Sequence, residues 1–513
     1  MNLRKNDRRV VAIMDCFMGI DVGTSSVKSI IMQADGIIVG VEQQKYDVLR
    51  PQAGFAEQDI EVLWQATCST LKALSRKYPK AIRDLKCIGY SGQMHGLVML
   101  DKNNHPLRNA IIWQDQRSIR EIDEIHRRVP PNEFNAITLN TLSTGYLISS
   151  LIWVRNNEPE NFERLYKLIL PKDYVRFKMC GEIGSDMSDA SSSVVFDTAN
   201  RNWAWNIIDR LGIQRSVFPV CHESYECAGR ITTAAANQTG LLAGTPVVFG
   251  GGDTLMHEVG TCLIDEERPW VANIGTSCQV TCAINHPLHD KAYRTNTFCH
   301  VKEDLWMLMS CNLCGGSAMK WMGEKIFHNQ SFNELNQMAE KVSAGSDGLI
   351  FLPHLNGSRS PDNDPRAKGM FMGLTLNHTD EHLVRSTMEG IVYSLKSCME
   401  VLKSIVHREP DRIIASGGGA RSRLFLQMEA DTFNKPIYTT VEAEQSCVGA
   451  AITAAVGIGY FSSFSEACDH VVRFNGRVIE PITENVKTYA EYFAIYKELY
   501  QCNKELFALY PIH

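Results

Sequence analysis

Short apolar runs alternate with stretches of helical spacing along most of the chain, the pattern of a sheet flanked by helices. Phe17 to Ile20, Ser29 to Met32 and Ile37 to Glu42 are predicted as three consecutive strands, joined at Gly23-Thr24 and at Asp35-Gly36. Over Ile60 to Tyr78 the apolar residues recur with helical period, placing Val62, Leu63, Ala66, Leu71 and Leu74 on one side. Cys87 to Tyr90, Leu97 to Leu100 and Ala110 to Trp113 are short strands, Asp115 to Arg128 is a helix, and Pro130 to Gln238 is mainly helical with loops. Pro246 to Phe249 is a buried-type strand that opens onto Gly250-Gly251-Gly252-Asp253.

The second half restarts the pattern. Trp270 to Ile274, Gln279 to Ala283 and Thr297 to Val301 are predicted strands, Ser317 to Phe327 a helix, and Leu349 to Leu352 a strand entering the loop Pro353 to Pro365. His382 to His407 is a long helix, and the strand Arg412 to Ala415 delivers Ser416-Gly417-Gly418-Gly419-Ala420 to the helix Ser422 to Phe433. The polar stretch Asp265-Glu266-Glu267-Arg268-Pro269 separates the halves. The expected division is an unstructured extension over 1–15, a first domain over 16–264 and a second over 265–513.

Each half contains one strand that runs into a Gly-Thr-Ser turn: Gly19-Ile20-Asp21-Val22-Gly23-Thr24-Ser25-Ser26 and Asn273-Ile274-Gly275-Thr276-Ser277. Glycine lets the backbone approach an anion closely, and the hydroxyls and amides that follow are donors for phosphate. Two such hairpins imply two related half-molecules gripping one polyphosphate. Neither has the Gly-x-x-x-x-Gly-Lys-Ser/Thr spacing of a P-loop, which argues against that fold. Asp21 ends an apolar strand, where a metal or a proton transfer would justify a carboxylate.

A chain of 513 residues is too long for one core. Its 44% hydrophobic and 21% charged residues are ordinary for a globular protein, and a net charge of −6 gives no electrostatic reason to expect nucleic acid. No apolar run approaches the ~20 residues of a membrane helix, so no membrane association is expected. Met1 to Arg9 is basic, but the apolar block Val10 to Met14 is too short for a signal peptide, and Met14 is a second candidate start. The 16 cysteines are scattered in apolar segments, which suits buried thiols in a reducing cytoplasm. Cys311-Asn312-Leu313-Cys314 lacks a second ligand pair, and Met256-His257-Glu258-Val259 lacks the second histidine of a zinc-protease helix, because Thr261 stands there.

Taken in order, Gly19 to Lys28, Gly92-Gln93-Met94-His95-Gly96, Trp113-Gln114-Asp115-Gln116-Arg117, Ser185-Asp186-Met187-Ser188-Asp189-Ala190, Gly250 to Asp253, Ile274 to Ser277 and Gly417 to Ala420 resemble the FGGY carbohydrate kinases, and among them the xylulokinases. The resemblance covers nearly the whole chain. It implies an α/β protein of two ribonuclease-H-like, actin-like ATPase domains, the first binding sugar and the second nucleotide, with ATP, Mg²⁺ and sugar in the cleft between them.

The chemistry is consistent with that implication. A sugar hydroxyl is a poor nucleophile, and Asp253, reached through three glycines, is placed to accept its proton as phosphoryl transfers. Asp21 suits Mg²⁺, held directly or through waters. The resemblance carries sugar contacts onto Met94 and His95, and the residue after the catalytic carboxylate, a sugar contact in xylulokinases, is Thr254 here instead of Asn. Gln114 likewise stands where xylulokinases tend to have Asn. Thr24, Ser25 and Thr276 are expected at the phosphates with Lys28 adding charge, and Gly417, Gly418 and Gly419 along the adenosine. By resemblance to the related glycerol kinases, Gly316 and Ser422 are candidates for the same pocket, against the plainer roles of helix packing and helix capping. Ser358 replaces a family glutamate in Gly357-Ser358-Arg359-Ser360-Pro361, so Arg359 is given no catalytic role.

Three readings follow: an ATP-dependent pentulose kinase making D-xylulose 5-phosphate from D-xylulose, a kinase of the same family for another sugar, polyol or sugar acid, and a non-catalytic sugar or nucleotide sensor. Intact Asp21 and Asp253 weigh against the third. The oligomeric state, a homodimer included, is left open.

Overall fold

The computed structural model describes residues 15–510. The expected extension, but for Asp15, and the candidate start at Met14 lie outside the described residues. Asp15 itself pairs with Lys86 at 3.0 Å.

Two sheets repeat one topology. In the first, the strand Cys16–Val22 pairs antiparallel with Ser26–Gln33, which pairs antiparallel with Ile38–Lys45; on its other side Cys16–Val22 pairs parallel with Leu85–Gly92, which pairs parallel with Pro246–Val248. In the second, Trp270–Ile274 pairs antiparallel with Cys278–Ile284, which pairs antiparallel with Trp306–Asn312, while its other side takes Ile413–Gly417 and then Ile437–Tyr438 in parallel. The first strand of each sheet is covered on both faces, and Cys16 to Ile20 and Trp270 to Ala272 are buried throughout. The tips of both opening hairpins, 23–25 and 275–277, remain in contact with solvent.

The long helices follow the apolar spacing. Ile60–Lys77 buries Leu63, Ala66, Leu71 and Leu74 as expected, but Val62, in the first turn at the margin of that stripe, is 43% exposed. Asp380–Val406 and Arg423–Phe433 lie at their expected places. Two expected helices are shorter. Ile119–Arg128 starts late because the carboxylate of Asp115 is engaged by Arg117 and by the backbone N–H of Ala56 at 2.6 Å. Gly316–Trp321 gives way to a wider turn over Met322–Ile326.

Several elements of the second half pack on the first, one helix above all. The helix Gln445–Gly457 lies against the strands Cys16–Val22 and Leu85–Gly92 and against the helix Asp253–Gly260. It approaches so closely that a Cβ on Gly19 would fall 1.9 Å from the Cys447 carbonyl, and one on Gly449 1.9 Å from that of Met256. A second, buried seam joins the halves. Asn140 exchanges hydrogen bonds with the backbone of Thr297, at 2.7 and 3.1 Å, and the Cys299 N–H donates to Ser191 Oγ at 3.1 Å.

No helix of the described residues is long and apolar enough to cross a membrane. No disulfide occurs among them.

Candidate active site

The strand ends of the first sheet bring the acidic residues together. Asp21 lies opposite Ser91, which lies opposite Gly251, so three neighbouring strands end in one row at the cleft. Gly250 makes the turn into this row. Its φ is +81°, and a Cβ there would stand 2.3 Å from the Tyr90 carbonyl, so no other residue fits. Asp253 then opens the helix Asp253–Gly260, with Gly252 as its N-cap. A carboxylate in the first helical turn is favoured by the helix dipole, which fixes where its charge sits.

Burial and the charge of Asp21 push the Asp253 carboxyl up to about 7, while the hydrogen bonds from Thr254 act against the rise. Asp21 is also raised, by burial first, and held back by the Ser91 hydroxyl, which donates to Oδ1 at 2.6 Å. One turn below Asp253 lies His257, buried, with neither ring nitrogen in a hydrogen bond among the described residues and Nδ1 3.7 Å from the Glu258 carboxylate. Its neighbour Glu258 accepts from Thr281 at 2.7 Å, which ties this helix to the second sheet.

Met94 and His95 stand beside this carboxylate. A Cβ on Gly252 would meet Met94 Cγ at 2.8 Å, so that side chain lies on the loop bearing Asp253. His95 has φ +74° and sends Nδ1 to the Ser192 carbonyl at 2.7 Å. A carbonyl can only accept, so Nδ1 carries the proton and Nε2 presents its lone pair. Burial holds this imidazole down at about 4, so it stays neutral. Beneath the same loop the buried Lys172 pairs with Asp173 and Asp186, each at 2.7 Å, and with Asp189 at 3.6 Å. A Cβ on Gly92 would stand 2.6 Å from Lys172 Cβ, and Ser188, bonded to Asp186 at 2.5 Å, accepts from the Gly252 N–H. This charge cluster supports the glycine loop from below.

The second hairpin builds a separate pocket. Thr276 accepts the Gly315 and Ser317 N–H groups through its carbonyl, and the Gly316 N–H bonds the Gly275 carbonyl at 2.7 Å. Gly275, Gly316, Gly418, Gly419 and Ser422 line a cavity of about 470 Å³ with Asn336. Gly417 has φ +76° and would place a Cβ 2.3 Å from Asn273 Oδ1. Ser422 does two jobs: its hydroxyl accepts from the Phe425 N–H at 3.2 Å as the helix cap and donates to Asn336 at 2.5 Å at the cavity wall.

Asp21, Asp253, Thr254, Met94 and His95 thus converge on one wall of the cleft, and Gly316, Gly418, Gly419 and Ser422 on a cavity in the second half. Ser25 and Thr276 are exposed at the two hairpin tips. Thr24 is partly committed, its Oγ1 accepting from Trp113 Nε1 at 2.9 Å. Lys28, expected to bring free charge to the phosphates, is instead ion-paired with Glu444, at the start of the helix that crosses between the halves. The pairing follows from strand alternation, because Lys28 lies opposite Asp21 and faces that helix. Three groups near the site were not assigned from the sequence: Lys172, Asn336 and Tyr146, whose ring packs edge-on to His95 at 4.5 Å. Only Lys172 carried a signal, a lysine next to an aspartate after an apolar run.

Residues 16–260 match the N-terminal domain of the FGGY family of carbohydrate kinases and residues 270–458 its C-terminal domain. The chain is 32% identical over 483 residues to the xylulose kinase of Staphylococcus xylosus, covering 94% of this chain and 99% of that protein. It is 28% identical over 493 residues to the gluconokinase of Bacillus subtilis, covering 94% and 95%. The solved xylulose kinase of Rhodospirillum rubrum superposes with a TM-score of 0.87 at 27% identity, over 96% of this chain and 100% of that one.

Proposed function

The chain belongs to the FGGY family of carbohydrate kinases, and we propose that it phosphorylates a ketopentose at a terminal hydroxyl, D-xylulose to D-xylulose 5-phosphate, with ATP as donor. The observation that carries the mechanism is Asp253: a carboxylate open to the cleft, at a helix start, whose pKa of about 7 matches the task of a general base near neutral pH. As the sugar oxygen attacks the γ-phosphorus, its proton passes to Asp253 and the bond to the β-phosphate oxygen breaks, releasing ADP. Met94 and the Nε2 of His95 hold the sugar so that this hydroxyl points at Asp253. The exposed turns 23–25 and 275–277 hold the phosphates, and the cavity at Gly316, Gly418, Gly419 and Ser422 takes the adenosine.

The residues present fit Mg²⁺. Asp21 has one oxygen engaged by Ser91 and the other without a hydrogen-bond partner among the described residues, and a magnesium ion in such a site is usually held by one or two carboxylates, phosphates and water. When bound, it would neutralise phosphate charge at Asp21. We take residues 16–264 as the sugar domain and 265–513 as the nucleotide domain, with the helix Gln445–Gly457 packed between them, and place the enzyme in the cytoplasm.

A second reading, a kinase for a sugar acid, is favoured by the identity to a gluconokinase and by Thr254. An ADP-release assay over pentuloses, hexuloses, polyols and sugar acids separates the two. The highest kcat/KM is expected on D-xylulose; a sugar acid in that place would overturn the ketose assignment.

A further inference from the structure

Around His95 the structure holds three polar groups that the mechanism leaves partly or wholly unused. The first is His95 Nε2, free because Nδ1 is spent on Ser192. The second is the hydroxyl of Tyr146. Its ring is 6% exposed and lies 4.5 Å from the imidazole, yet the hydroxyl has no hydrogen-bond partner among the described residues and is not sealed from solvent. The third is the guanidinium of Arg359. It is exposed, and its side-chain contact is the thiol of Cys311 at 3.8 Å, with no ion-paired carboxylate among the described residues. A cation in a cleft without a counter-ion is a vacant donor.

Arg359 is held in place rather than dangling. Its own N–H donates to Asn312 Oδ1 at 3.4 Å, the Ser360 N–H to the Cys311 carbonyl at 3.1 Å, and Ser310 and Ser360 share a hydroxyl bond at 2.6 Å. All these anchors lie on the strand Trp306–Asn312, whose partner strand Asn296–Cys299 places Phe298 6.0 Å from His95. The loop and the imidazole are therefore fixed relative to one another through the second sheet. The charge of Arg359 bears on His95 and Tyr146. Anchored to the same pair of strands as Phe298, the guanidinium lies with His95 at the sugar end of the cleft.

We propose that Tyr146 and Arg359, with the Nε2 of His95, form the subsite that holds the end of the substrate remote from the transferred phosphoryl group, where a ketose carries its carbonyl oxygen. Arg359 donates to that oxygen, Tyr146 bonds the adjacent hydroxyl, and His95 accepts from the next. This deepens the ketose-kinase reading and rests on it. The three are positioning and specificity groups; none exchanges a proton with the reacting atoms.

The test uses the full chain with Arg359→Met and Tyr146→Phe, both of which keep the bulk of the side chain. Sugar affinity is measured by calorimetry without ATP, and kcat and KM on D-xylulose and on D-arabinitol, which lacks the carbonyl. For Arg359→Met the Kd and KM for D-xylulose are expected to rise about 10- to 100-fold, the range of a lost charge-assisted hydrogen bond. For Tyr146→Phe the rise is several-fold, at about the worth of a neutral bond. In both, KM for ATP stays as in the parent, and the loss on D-arabinitol is smaller than on D-xylulose. Unchanged sugar affinity in both variants overturns the subsite. So does a fall in kcat at unchanged sugar affinity, which would put Arg359 on the phosphoryl group. If the parent ignores D-xylulose but turns over D-gluconate, the ketose reading fails on its own. The variants on D-gluconate then decide the subsite, a large loss of affinity supporting it and none overturning it.

Discussion

Thr254 holds the carboxylate of Asp253 twice, its backbone N–H donating to Oδ1 at 2.7 Å and its hydroxyl to the same oxygen at 3.3 Å. Both bonds favour the ionised form and oppose the burial and the Asp21 charge that raise the group. Thr254 therefore tunes the Asp253 carboxyl, whatever else it touches.

The pH dependence follows. Asp253 must be ionised to accept a proton, so kcat/KM rises as pH increases through about 7 and levels off above it. Thr254→Val removes the hydroxyl bond and keeps the backbone one, which raises the carboxyl further. The acid limb should move up by about 0.4–1 pH unit, the equivalent of a hydrogen bond of roughly 0.5–1.5 kcal/mol. A pH–rate profile of parent and variant checks this, with a larger loss expected at pH 6 than at pH 8.

Asp253→Asn keeps shape and removes basicity. Turnover should fall by about 10²-fold or more, while calorimetry finds sugar and ATP binding close to the parent's. A rate within about tenfold of the parent would remove Asp253 from the role of base.

Asp21→Ala should act on the metal. Its carboxylate adjoins the first hairpin turn and not the histidine loop, so Mg²⁺ dependence of turnover should weaken strongly while the Kd for sugar changes little. Titration of rate against Mg²⁺ in both proteins reads it, and an unchanged curve would refute the placement.

Sequence periodicity located most of the elements around the site, because its strands are buried runs and its glycines sit at turns that demand them: Gly250 and Gly417 are held at positive φ against a carbonyl or an amide oxygen. Helix Gln445–Gly457 is illegible in the sequence for the opposite reason. It is buried all round, from Cys447 to Ala455, so no polar face betrays its period. The strand Trp306–Asn312, which positions Arg359, went unassigned as well. The partnerships of Lys28 with Glu444 and of Tyr146 with His95 join residues far apart in the chain, and no local pattern announces either.

Glu429 offers a test of stability remote from the cleft. It is 1% exposed, its Oε2 has no hydrogen-bond partner among the described residues, and burial alone lifts its carboxyl to about 8 from an ordinary 4.5. Between those two pH values the folded chain keeps a proton that the unfolded chain has released, so stability falls as pH rises across that window, by about 1.4 kcal/mol per unit at most. Glu429→Gln lacks this term. Its denaturation midpoint relative to the parent should improve between pH 5 and pH 8; a constant difference would mean that the carboxyl is solvated or paired in solution.

Substrate choice turns on Thr254 a second time. Its side chain is partly exposed to the cleft, and its hydroxyl bond to Asp253 is long, so a longer amide at this place can reach outward while the backbone N–H still holds the base. Thr254→Asn should then add a contact to the sugar and raise the ratio of kcat/KM on D-xylulose to that on the best competing substrate. One hydrogen bond in a buried site is worth about 0.5–1.5 kcal/mol, so the ratio should rise several-fold and by no more than roughly tenfold. If Thr254 serves only Asp253, asparagine changes the base and both substrates suffer alike. Measuring the two substrates on both proteins separates these outcomes: a moved ratio assigns Thr254 to sugar recognition, and an unmoved ratio with a shifted pH profile confines it to the base.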